Sequence, residues 1–61
     1  MTRGMKDLAA WQRQTALAKV TRDRLAAEKA GAPVSDAILA RHAADYVGAK
    51  VDDVLCWMGA L

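Results

Sequence analysis

SDAILARHAADYVGAKVDDVLCWMGAL, residues 35–61, carries Ile38, Leu39, Tyr46, Val47, Val51, Val54, Leu55, Trp57, Met58 and Leu61, most of the large apolar side chains of a 61-residue chain. Its reading turns on Gly48. As one unbroken helix to about Gly59, it sets Ala40, Ala43, Val47, Val54, Trp57 and Leu61 on a stripe at alternating spacings of three and four. Leu39, Tyr46 and Met58 flank that stripe, Lys50 interrupts it, and Arg41, Asp45 and Asp52 line the far side. Gly48 inside such a helix costs about 1 kcal/mol relative to alanine, which a bundle tolerates. With a turn at Gly48, the same residues instead make two short helices.

Working outward, Ala30-Gly31-Ala32-Pro33 marks the end of a preceding helix. Gly31 can take the left-handed conformation that closes a helix, and Pro33 cannot continue one. Ser35 is placed as an N-cap, with Asp36 at the positive end of the next helix dipole. The chain therefore reverses over residues 30–34 into a helical hairpin. Upstream, residues 5–29 are rich in Ala, Leu, Lys, Arg, Gln and Glu, with no Gly or Pro between Met5 and Ala30, and read as one long helix. At 100° per residue, Ala10, Trp11, Gln14, Leu17, Ala18, Thr21 and Leu25 gather on one side. This narrow seam is the expected packing face, with Trp11 as a core or interface anchor.

The expected fold class is all-α in a single small domain: a long first helix reversing into a C-terminal helical segment over residues 35–59, either a helical hairpin or a three-helix form. A chain of this size leaves much of its surface uncovered and has a marginal core. Disulfides, metals or self-association are the usual supports. Cys56 is the sole cysteine and His42 the sole histidine, so neither an internal disulfide nor a structural zinc site can form. A homo-oligomer is the remaining expectation, such as two hairpins pairing into a four-helix bundle. The N-terminal residues lack the apolar run of a signal peptide, and nothing approaches the roughly 20 apolar residues that span a bilayer. A cytoplasmic protein with no membrane partner is expected.

In its turn form, Ala40 to Gly59 resembles the helix-turn-helix of bacterial and phage DNA-binding proteins. The resemblance rests on the small Ala44 four residues before Gly48, on Val47 ahead of the glycine, and on Ala49, Val54 and Trp57 after it. It implies a positive φ at Gly48, close approach of two helices at Ala44, and a second helix held by the later apolar residues. By the same analogy, bases and phosphates would be met by Lys50, Val51, Asp52, Leu55 and Cys56. Of these only Lys50 suits, because Asp52 and Asp53 repel phosphate and no Arg, Gln or Asn is present to read base edges.

Charge offers another route to nucleic acid. Residues 1–30 hold seven basic and three acidic side chains, whereas residues 31–61 hold two basic and four acidic. Arg13, Lys19, Arg22 and Arg24 on the first helix, with Lys50, are the candidate contacts to phosphates of duplex DNA or structured RNA, bound by shape and charge. A solvated helix with i,i+4 ion pairs accounts for the same residues.

The remaining residues point away from catalysis. His42 has no nucleophile or metal partner, Cys56 sits among apolar neighbours as a small hydrophobe, and Asp52 and Asp53 serve a helix dipole. Without a phosphate loop or a paired acid and base, no enzyme activity, cofactor or small-molecule substrate is expected. The C-terminal segment is apolar nearly all round, so Leu55, Trp57, Met58 and Leu61, with Trp11, are the expected protein-interface anchors. Two functions follow. The first is a small DNA-binding or transcription-regulating protein; the second is a helical interaction module, either self-associating or docking on a host protein as an inhibitor or adaptor.

Overall fold

The computed structural model describes residues 4–60, with side chains from Leu8 onward. Three helices follow one another: α1 (Gly4–Lys29), α2 (Asp36–Val47) and α3 (Val51–Met58). The all-helical class and the reversal after Lys29 are as the sequence implies. Gly48 has φ 74° and ψ 31°, so the helix stops there and the unbroken form is excluded. Both the Gly48 N–H and the Ala49 N–H donate to the Ala44 carbonyl, the second at 2.9 Å, which satisfies the carbonyl that the end of α2 leaves open. A Cβ added at Gly48 would meet nothing within 4 Å, so glycine is required here by backbone conformation and not by space.

The first reversal is built from the same local chemistry. Ala32 N–H donates to the Ala27 carbonyl at 2.9 Å around Gly31, which has φ 73°. Ser35 then caps α2, its Oγ accepting from the Ile38 N–H at 3.4 Å. Arg24 near the end of α1 meets Asp36 at the start of α2 at 3.0 Å and holds the two helices antiparallel across the turn. Both partners are about half exposed, so this pair sets direction more than it adds stability.

Eight residues are buried: Ala16 and Val20 of α1, Leu39, Ala40, Ala43, Ala44 and Val47 of α2, and Val54 of α3. Half of them are alanines, and only Leu39 and Val54 are large side chains buried completely. Burying a leucine or valine contributes roughly 1.5–3 kcal/mol. Stability therefore rests on a few buried side chains.

The packing face of α1 differs from the expected seam. Trp11 is 50% exposed and Leu25 54% exposed. Ala10, Gln14, Ala18 and Thr21 are also exposed, and only Leu17 of that seam is half-buried. The face that packs is roughly half a turn away at 100° per residue: Ala16 and Val20, bordered by Gln12, Thr15, Lys19, Asp23 and Ala27. The buried side of α2 is mostly small, Ala40, Ala43 and Ala44 beside Leu39 and Val47. Small residues opposite small residues let the backbones approach, whereas an indole at the contact would hold them apart.

Candidate nucleic-acid and protein contact surfaces

α2, the Gly48 turn and α3 form the most defined local unit. Ala44, Val47 and Val54 are buried, and Ala49 and Trp57 are half-buried against the same core. Gln12 of α1 locks this unit in place, its Nε2 donating to the Val47 carbonyl at 3.0 Å and lying 3.4 Å from the Gly48 carbonyl. Carbonyls at a helix end lack intrahelical donors, so a side-chain amide there supplies a missing hydrogen bond and fixes α1 against the turn. Gln12 was outside the expected contact face; its signal, a polar residue one turn before Ala16, is intelligible only once α2 is in place.

α3 begins less favourably than α2. Lys50 occupies its N-cap position with φ −86° and ψ 147°, and makes no side-chain capping bond. The exposed Asp52 and Asp53 stand in the first turn and offset the dipole. The exposed start of α3 thus presents one cation followed by two carboxylates.

The five basic candidates separate into two groups. Lys19 is engaged within the chain, 3.2 Å from Asp23 and 5.2 Å above the Tyr46 ring. Arg24 is engaged with Asp36. Arg13, Arg22 and Lys50 are exposed and form no ion pair among the described residues. By helical periodicity Arg13 and Arg24 share one flank of α1, whereas Arg22 and Lys29 lie on the same side as Trp11, Ala18 and Leu25, Lys29 in line with Trp11. The cations thus fall on two sides of α1 and do not form a single stripe.

The expected C-terminal interface is also redistributed. Leu55, Trp57 and Met58 are half-buried and pack on the core together with Val51, because the bend at Gly48 brings α3 against both other helices. Cys56 is exposed, not buried as a small hydrophobe, and His42 is exposed as well. Leu61 lies outside the described residues. The large apolar groups left most open are Trp11, Leu8 and Leu25 on α1, and Tyr46 and Ile38 on α2.

Among the described residues no pocket is formed, and no three His, Cys, Asp or Glu side chains cluster as metal ligands. No described helix is long and apolar enough to cross a membrane. No family model, curated protein or solved structure matches the chain.

Proposed function

We propose that this chain is a small non-enzymatic DNA-binding protein of the transcription-regulating, bacterial or phage type, with α2 and α3 as its helix-turn-helix. The observation that carries this reading is the left-handed Gly48 with Ala44 and Val54 buried on either side of it. Those are the packing demands of that motif. Phosphate contact falls to Arg13, Arg22 and Lys50, since Lys19 and Arg24 already have partners inside the chain. Asp52 and Asp53 weaken any approach of α3 to a phosphate backbone, so binding by shape and charge with little base discrimination is expected.

A gel shift with mixed-sequence duplex DNA, repeated over a salt series, tests the reading. Binding at low salt that falls steeply as salt rises supports it, and Arg13→Ala or Arg22→Ala should each lower the slope of log K against log salt by about 1. Absence of binding at low salt, where phosphate contacts are strongest, overturns it. A second reading, a non-catalytic protein-interaction module, is favoured by the exposed Trp11 and Leu25 on the outer side of α1. Large apolar groups in such a strip are the usual anchors of protein contacts.

A further inference from the structure

We draw no further inference here: the strongest candidate, the outer face of α1 with its exposed Trp11, Ala18, Arg22, Leu25 and Lys29, is an unpartnered helix face, and nothing in the structure shows what covers it.

Discussion

The two sides of α1 have opposite characters. Towards α2 it presents Ala16 and Val20, fully or almost fully buried, with Gln12 bonded to the end of α2. On the other side it presents Trp11 and Leu25, each about half exposed, around an exposed Ala18. The side that builds the domain is therefore the one with the smaller apolar groups. Side-chain size predicts how much a residue gains from burial, but the spacing of two helices is set by the largest group at their contact. The core that α1 enters holds Ala40, Ala43 and Ala44 of α2 beside Leu39 and Val47, and α1 meets it through Ala16 and Val20.

The sharpest way to break this contrast is to place the same charge on each side. Ala16→Asp puts a carboxylate at a fully buried position, and should cost several kcal/mol, enough to unfold so small a domain in a denaturant melt. Ala18→Asp, two residues on, should leave the stability of the single chain within about 0.5 kcal/mol. Equal effects would mean that the inner and outer sides have been misassigned. Next in size, Leu39→Ala empties the largest buried site and should cost about 2–5 kcal/mol.

Gly48→Ala should cost roughly 1–2 kcal/mol, because a Cβ in the left-handed region is strained although the space around it is open. Asparagine at this position should cost less than alanine, and equal losses would point to packing instead of φ. Gln12→Ala should lose about 1 kcal/mol by removing the bond that holds the turn to the inner side of α1. The smallest effect is a gain. Lys50→Ser gives α3 the cap that α2 already has in Ser35, and should raise stability by about 0.5–1 kcal/mol in thermal or chemical melts. If the same variant also binds DNA less tightly, the uncapped lysine is kept for contact and not for folding.

Helix ends were legible because their causes are local. Gly31 closes α1 and Ser35 opens α2 through bonds to residues about a turn away, and Pro33 acts by lacking the N–H that a continuing helix needs. The helix-turn-helix skeleton around Gly48 was legible as one of two forms, since glycine inside a helix costs only about 1 kcal/mol relative to alanine and neighbouring residues do not decide it. The partners of the cations were less so. Lys19 with Asp23 follows from i,i+4 spacing, but Arg24 with Asp36 needs the reversal that brings two helix ends together.

By itself, then, the sequence determined an all-helical chain, its reversal over residues 30–34, and the imbalance of charge between its halves, because propensity, capping and composition act over a few residues. Only the tertiary structure decided that Gly48 bends the chain, that α3 packs on the core through Leu55, Trp57 and Met58, and that α1 packs through Ala16 while Trp11 faces outward. Those outcomes depend on which surfaces meet. α1 carries apolar residues on more than one side, and the fit against α2 selects among them.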